Sequence, residues 1–208
     1  KGTLNVNNFV NVYVGNIGLG AQNTSCGNSY FNGSMDDVRI YSRALSASEV
    51  QQLYKQGGGK ISSSQTAKPA NALTSGLMGW WTFDGKDTDT SSAFDKSGQG
   101  NNGTRQGTTK VVAGKIGQAM QFNGSSGYIN AGNPASLQIT SGTVSAWIKT
   151  SANVGGYQGI VVKNQNFGMF LQTNRLSLYD WTYGELPTNI ALNDGKWHHV
   201  LFSFQHNI

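Results

Sequence analysis

Residues 35–54 read MDDVRIYSRALSASEVQQLY and join a predicted strand to the strongest helix signal in the chain. The strand is predicted around Met35–Tyr41. Ser46 is a favourable N-cap, and Glu49 follows it at the spacing of a capping box. An apolar stripe then runs through Val50, Leu53 and Tyr54. This pattern predicts a short helix over about residues 47–55.

On both sides of this stretch the sequence has the pattern of β-structure. Near the start, valines at 10, 12 and 14 alternate with polar or aromatic neighbours, which is the period of a half-buried strand. From Leu77 onward, short strand-like segments are separated by clusters of Gly, Asn and Ser. They are Leu77–Phe83, Ala119–Phe122, Tyr128–Ala131, Thr143–Lys149, Gly159–Lys163, Met169–Gln172, Arg175–Tyr179 and Trp197–Phe204. Many short strands with turns between them indicate an all-β, two-sheet sandwich of the jelly-roll kind with one short helix.

Residues 57–76 differ from both flanks in composition. The stretch GGGKISSSQTAKPANALTS at 57–75 has no periodicity and almost no large apolar residues. It contains one proline, so its composition is that of a flexible linker.

The overall composition limits the class of protein. The chain has 208 residues, enough for one sizeable β domain or two small ones. Only 12% of the residues are charged, and Gly and Asn supply turns, which suits an extracellular β-sandwich. Cys26 is the single cysteine, so an intrachain disulfide is excluded.

The distribution of charged and apolar residues argues against nucleic-acid binding and against membrane insertion. The formal net charge is +5, but the basic residues are scattered singly rather than clustered as a nucleic-acid footprint requires. The charge instead favours a weak attraction to acidic glycans. No apolar run reaches membrane length, so we predict neither nucleic-acid binding nor membrane insertion.

Six strings together resemble the laminin G-like (concanavalin A-like) jelly-roll family. WWTFDG at 80–85 is similar to the family's opening strand, and DGKWHHVLFSF at 194–204 to its Trp-His-His-Val strand. The strings between them are AFDKSGQGNNGT at 93–104, KIGQAMQFNGSSGYINAG at 115–132 and TVSAWIKT at 143–150. Residues 35–45 resemble the family's last strand.

These strings stand in permuted order. By the resemblance, residues 1–56 are the C-terminal portion of a jelly roll, 57–76 a linker, and 77–208 the N-terminal and middle portion. We expect residues 1–55 to complete the sandwich of a neighbouring copy, as one repeat of a tandem array or one subunit of a filament. The alternative is self-closure, which a flexible 19-residue linker spanning roughly 20–25 Å permits.

The loop around Asp95 has the oxygen-rich, glycine-turned composition that Ca²⁺ prefers. The resemblance implies a structural calcium here, with Asp95 and Asn101 as ligands and help from Asp84 or Asp37. The alternative is that Asp95 only caps a turn. Asp36 and Asp37 are adjacent, so on a regular strand they point to opposite faces.

His198 and His199 are adjacent on a predicted strand. They therefore face opposite ways, and no Cys or acidic partner stands at zinc spacing. We interpret them as strand residues with hydrogen-bonding roles.

Aromatic residues near loops suggest a ligand site. Tyr157, Trp181 and Tyr183, with the carboxylate of Asp180, are the groups that a sugar-binding cleft uses. Ordinary packing is the competing interpretation of these aromatics.

The sequence offers no catalytic cluster. Glu49 and Glu185 are the only glutamates, and neither a carboxylate cluster nor a nucleophile elbow occurs. We predict a non-catalytic extracellular adhesion or structural module that is able to bind glycan or protein. The alternative is a carbohydrate-binding module appended to a secreted glycoside hydrolase.

Overall fold

The computed structural model describes residues 17–24, 27–58, 73–153, 155–164, 166–180 and 184–205. The predicted strand at residues 10–14 and Cys26 lie outside these ranges. The described chain contains helix α1 (Ala47–Gly58) and a 3₁₀ turn at Ala135–Leu137. Its strands are β1 (Ile17–Leu19), β2 (Ala21–Thr24), β3 (Gly27–Tyr30), β4 (Asn32–Tyr41), β5 (Leu77–Trp81), β6 (Ser92–Ala93), β7 (Gly103–Gln106), β8 (Thr109–Ala113), β9 (Gln118–Asn123), β10 (Tyr128–Gly132), β11 (Ser141–Lys149), β12 (Tyr157–Lys163), β13 (Phe167–Gln172), β14 (Arg175–Asp180), β15 (Gly184–Ala191) and β16 (Trp197–Gln205).

Two antiparallel sheets form the sandwich, which confirms the predicted jelly-roll class. One has eight strands in the order β15-β14-β13-β12-β1-β10-β7-β6. The other runs β16-β11-β4-β9-β8, with β5 also paired to β4. β2 and β3 form a separate hairpin. One contiguous core of fully buried aliphatic and aromatic side chains fills the space between the two large sheets.

Strand β4 occupies the middle of the six-stranded sheet. One of its edges pairs with β11, while the other pairs with β9 in its first half and with β5 in its second half. β1 likewise lies between β10 and β12 of the eight-stranded sheet. The described part of residues 1–58 therefore completes the sandwich of its own chain, as the self-closure alternative expects. Exchange with a neighbouring copy would use the same contacts and stays a prediction.

A β-bulge in β4 overturns the prediction that Asp36 and Asp37 face opposite ways. Asp36 lies opposite Trp147 and Arg39 lies opposite Ser145, so β4 carries one residue more than β11 over this stretch. Asp37 is at the bulge and has a left-handed backbone conformation, with a φ of 48°. Both carboxylates consequently lie on the outer side of the sheet, and both are buried.

Helix α1 begins at the predicted capping box. The Ser46 hydroxyl accepts a hydrogen bond from the Glu49 N–H, and the Ser46 N–H donates to Glu49 Oε2 at 2.8 Å. Arg43 also pairs with Glu49, and this pairing is the main cause that lowers the pKa of Glu49 to about 2. The helix covers the outer face of the six-stranded sheet, where Leu53 packs with Tyr41 and Leu77.

The predicted linker is shorter than residues 57–76. Gly57 and Gly58 belong to α1, and 73–76 form a turn that leads into β5. A Cβ at Gly57 would lie 2.4 Å from the ring of Trp147, so the glycine allows the helix to approach this ring. Tyr54 stacks on the same ring with a centroid distance of 5.6 Å. Residues 59–72 lie outside the described part of the chain.

Candidate functional site

An aromatic platform lies on the outer face of the eight-stranded sheet. We use this name for Tyr157, Phe170, Gln172, Ser177 and Glu185. Alternate residues of a strand share a face, and directly opposed residues of paired strands do so as well. Phe170 and Gln172 therefore face away from the core that Met169 and Leu171 enter, and Tyr157 and Ser177 lie opposite them.

Hydrogen bonds hold the platform together. Tyr157 Oη donates to Glu185 Oε2 at 2.7 Å and accepts from Gln172 Nε2 at 2.9 Å. The Ser177 hydroxyl donates to the other carboxylate oxygen of Glu185. Tyr157 packs edge to face on Phe170, with the ring centroids 5.8 Å apart. Desolvation, helped by the Glu185 carboxylate, raises the pKa of Tyr157 to about 12, so the phenol stays protonated as a donor.

The platform presents an exposed ring beside a polar groove. Tyr157 is 38% exposed, whereas Phe170 beneath it is 2% exposed. The groove encloses about 340 Å³ and shares Gln172 and Ser177 with the platform. Its other lining residues are Thr173, Arg175, Leu176, Pro187, Thr188 and Asn189. An aromatic surface continuous with amide, hydroxyl and guanidinium groups is suited to a flat, polyhydroxylated ligand.

A second concavity lies at the end of the six-stranded sheet. It encloses about 250 Å³ and is bordered by Ser34, Gln121, Lys149 and small residues of the following loop. Among the residues described around it, none is aromatic. The platform is therefore the better candidate for carbohydrate.

The structure separates two of the predicted ligand-binding residues. Tyr157 lies on the outer face, as described. Asp180 lies opposite Phe167, a core residue, and is itself 3% exposed, so it faces the interior. Trp181 and Tyr183 lie outside the described residues. Gln172, Ser177 and Glu185 were not predicted, and the alternation of β13 and β14 was the signal that could have placed the first two beside Tyr157.

Hydrogen-bond donors already surround the carboxylate of Asp95. Its Oδ1 accepts from the N–H groups of Trp80 and Ser97, at 2.9 and 2.8 Å. Its Oδ2 accepts from the Ser97 hydroxyl and the Asn101 N–H, at 2.7 and 2.9 Å. A carboxylate has about four lone-pair sites for accepting hydrogen bonds, so these four bonds occupy all of them. This geometry fits a turn cap better than a calcium ligand.

The other predicted calcium ligands are engaged elsewhere. Asp84 accepts the Gln118 N–H at 2.8 Å, and the Asn101 side chain bridges Met78 and Ser136. Asp37 accepts from Arg39 and, at 2.6 Å, from the indole N–H of Trp80. Within the described ranges, no three His, Cys, Asp or Glu side chains gather as a metal site. Calcium binding remains a prediction of the resemblance that these contacts do not support.

Removal of divalent ions is expected to leave the melting temperature unchanged, because four hydrogen bonds already occupy the lone pairs of the Asp95 carboxylate. Thermal melts in 5 mM EDTA and in 5 mM CaCl₂ test this directly. A calcium-dependent rise of several degrees would instead establish a site, since a ligand that binds only the folded state stabilises it.

The two histidines occupy different surroundings. His198 pairs with Asp194 at 2.8 Å near the surface. His199 lies beside Trp147 under α1, where its Nε2 is 2.8 Å from the Ser145 hydroxyl. Burial lowers the pKa of His199 to about 4. These contacts agree with structural, hydrogen-bonding roles.

The two-sheet topology defines the chain as a jelly-roll sandwich. Residues 3–51 and 123–208 match the family model Laminin_G_3, the concanavalin A-like lectin/glucanases superfamily. The chain therefore belongs to this superfamily. The two segments contain the β4 strand and the Trp-His-His-Val strand, whereas the strings at 80–85 and 93–104 lie outside them. Among curated proteins and among solved structures, none matches the chain.

Membership supports a carbohydrate- or protein-binding module. Domains of this kind are typically non-catalytic and generally extracellular, although the superfamily also includes glucanases. The helix in the described part of the chain is not long and apolar enough to cross a membrane.

Proposed function

We propose that this chain is a non-catalytic carbohydrate-binding module that holds glycan on the aromatic platform and in the adjoining groove. The observation that carries the proposal is the exposed Tyr157 ring, fixed by two hydrogen bonds beside a polar groove. Its role would be adhesion or surface structure outside the cell. A module appended to a secreted glycoside hydrolase would use the same platform.

The chemistry of the platform suits a pyranose ring. The Tyr157 ring offers a flat apolar surface for the C–H face of a sugar, while Glu185 and Gln172 offer an acceptor and a donor at its edge. In the groove, Arg175 adds a donor fork that suits carboxylate or sulfate groups. Together with the net charge of +5, this arrangement favours acidic over neutral glycans.

The non-catalytic assignment is supported by the pairing and burial of the carboxylates. Glu185 carries hydrogen bonds from Tyr157 and Ser177, and Glu49 is paired with Arg43 in a different part of the fold. Asp36 has a pKa raised to about 7 but is 1% exposed, and its carboxylate accepts the N–H groups of Lys115 and Ile116. A glycosidase needs two carboxyl groups that flank one accessible bond.

Tyr157→Ala is expected to weaken glycan binding about two- to twelvefold, because an aromatic contact contributes about 0.5–1.5 kcal/mol. Affinity electrophoresis in gels containing a neutral or an acidic polysaccharide measures the loss. Phe94→Ala is the matched control, since Phe94 is also 38% exposed but lies outside the platform. Tyr157→Phe separates the contribution of the ring from that of the hydroxyl. Equal retardation of wild type and Tyr157→Ala would contradict the proposal.

A second candidate role is that of a repeat or subunit completed by its neighbour. The observation in its favour is that β1 and β4 lie between strands contributed by residues 77–163 in both sheets. If a neighbouring copy supplied these two strands, the copies would join head to tail in an open array.

A further inference from the structure

Lys163 is a fully buried lysine on the inner face of the eight-stranded sheet. It lies opposite Ile17 of β1 on one side and Phe167 of β13 on the other, and both neighbours belong to the core. Its side chain is inaccessible to solvent. A charged ammonium is costly in such a place. The proposed glycan site on the outer face makes no use of this residue.

The Lys163 amine reaches across β1 to the carboxamide of Asn133. Nζ donates to Asn133 Oδ1 at 2.7 Å. Asn133 follows directly after β10, whose Gly132 lies opposite Ile17. Because a C=O bond is about 1.2 Å long, the carboxamide carbon is at most about 4 Å from Nζ. That is close to the separation of about 3–3.5 Å from which a nucleophile attacks.

The electrostatics of the site favour the nucleophilic form of the amine. Burial lowers the pKa of Lys163 to about 8. Roughly a tenth of the amine is therefore neutral at pH 7, against less than a thousandth for an ordinary lysine. A desolvated lysine of this kind is an activated nucleophile.

We propose that Lys163 and Asn133 are the two partners of an intramolecular amide crosslink. In this step, neutral Nζ forms a bond to Cγ of Asn133, and the bond from Cγ to Nδ2 breaks. The proton lost from Nζ moves to the departing nitrogen, which leaves as ammonia. No oxidant, reductant or further reactant is needed.

The crosslink would join β10 to β12 across the short strand β1. β10 and β12 do not pair with each other and are joined only through β1, a three-residue strand. A covalent bond from Lys163 to Asn133 bridges this strand. Tension applied along the chain would then be carried by a covalent bond even if β1 were displaced.

The intact mass of the full-length chain tests the proposal. We expect the purified protein to be 17 Da lighter than its sequence, the mass of one ammonia. Lys163→Met and Asn133→Ala should each restore the sequence mass, while Lys196→Met, which removes an exposed lysine, should keep the loss. Asn133→Asp should lose 18 Da instead, because water replaces ammonia as the leaving group.

Peptide mapping excludes the competing source of the same mass change. Asn-Gly pairs such as Asn123-Gly124 can lose ammonia on their own by forming a succinimide, but that product joins no second peptide and does not depend on Lys163. A branched peptide containing both Lys163 and Asn133 would establish the bond. Wild-type protein that is folded by circular dichroism and still has its full sequence mass after a week at pH 8 would overturn the proposal.

Discussion

A fragment spanning residues 73–208 is expected to remain unfolded by itself and to fold when a fragment spanning residues 1–58 is added. The missing segment contains β4, the central strand of the six-stranded sheet. Phe31, Met35, Val38 and Ile40 are completely buried. Burial of four such side chains stabilises the fold by about 6–12 kcal/mol, at about 1.5–3 kcal/mol each. This is comparable to the whole stability of a typical domain, about 5–15 kcal/mol.

Far-UV circular dichroism and tryptophan fluorescence, recorded as the short fragment is titrated into the long one, measure this effect. Ile40→Asp in the short fragment should abolish recovery, because it places a charge in the core. Ala44→Asp changes an exposed position of the same fragment and should recover as wild type does. Native-like spectra from residues 73–208 alone would contradict the prediction.

Folding of the long fragment on addition of the short one would also show whether copies of the chain can exchange these strands. It would show that residues 1–58 can complete a sandwich to which they are not covalently joined, which is the requirement for exchange between copies. Light scattering of the intact chain over a range of concentrations then distinguishes the two closures. Self-closure gives one mass at all concentrations, whereas exchange gives masses that grow with concentration.

The elements predicted best are those whose pattern is local. The capping box at Ser46 and Glu49 places the start of α1 correctly because its partners lie within one helical turn. The alternation in β11 and β16 places both strands within about two residues of the structure. β15 was not predicted, because it is mostly exposed and contains Pro187, as an edge strand can.

The site could be predicted only in part, because it depends on contacts that are distant in sequence. Tyr157 was identified as an aromatic residue near a loop. Its partner Glu185 lies 28 residues away and meets it only after β12, β13, β14 and β15 have paired in register. Asp180 was assigned to the same cleft because it is close to Trp181 in sequence, but strand alternation turns it inward. The bulge at Asp37 could not be predicted from the local sequence either, because it is defined by a partner strand more than a hundred residues later.

Asp36 should make the protein less stable as the pH rises from about 4 to 7. Its Oδ2 accepts the N–H groups of Lys115 and Ile116, at 2.7 and 2.8 Å, while its buried Oδ1 has no hydrogen-bond partner among the described residues. Burial is the main cause that raises the pKa of Asp36 from 3.8 to about 7. The folded protein therefore keeps a proton that the unfolded chain releases in this range. The expected loss is about 1.4 kcal/mol per pH unit, or about 4 kcal/mol across the window.

His199 produces the opposite slope over nearly the same range. Burial lowers its pKa from 6.5 to about 4, so the unfolded chain binds a proton that the folded protein does not. Stability from this group is complete above about pH 6.5 and falls as the pH drops toward 4, by up to about 3 kcal/mol. In the wild type the two slopes offset each other between about pH 4 and 6.5. The stability of the native protein is then nearly flat where each group alone would give a steep dependence.

In Asp36→Asn, the pH dependence of stability that His199 causes should no longer be offset. The substitution should also stabilise the protein above neutral pH. The amide removes the cost of a buried charge, although its NH₂ finds no partner at the Oδ1 position, so we expect a gain of about 2–4 kcal/mol at pH 8. Near pH 4 the gain should nearly vanish, because the wild-type carboxyl is then protonated in both states. Urea unfolding at pH 4.5 and 8 measures both values.

His199→Gln should show the reverse, with stability that falls steadily as the pH rises. If Asp36→Asn were less stable than wild type by the same amount at both pH values, the carboxylate would be charged in the fold and would need a cationic partner.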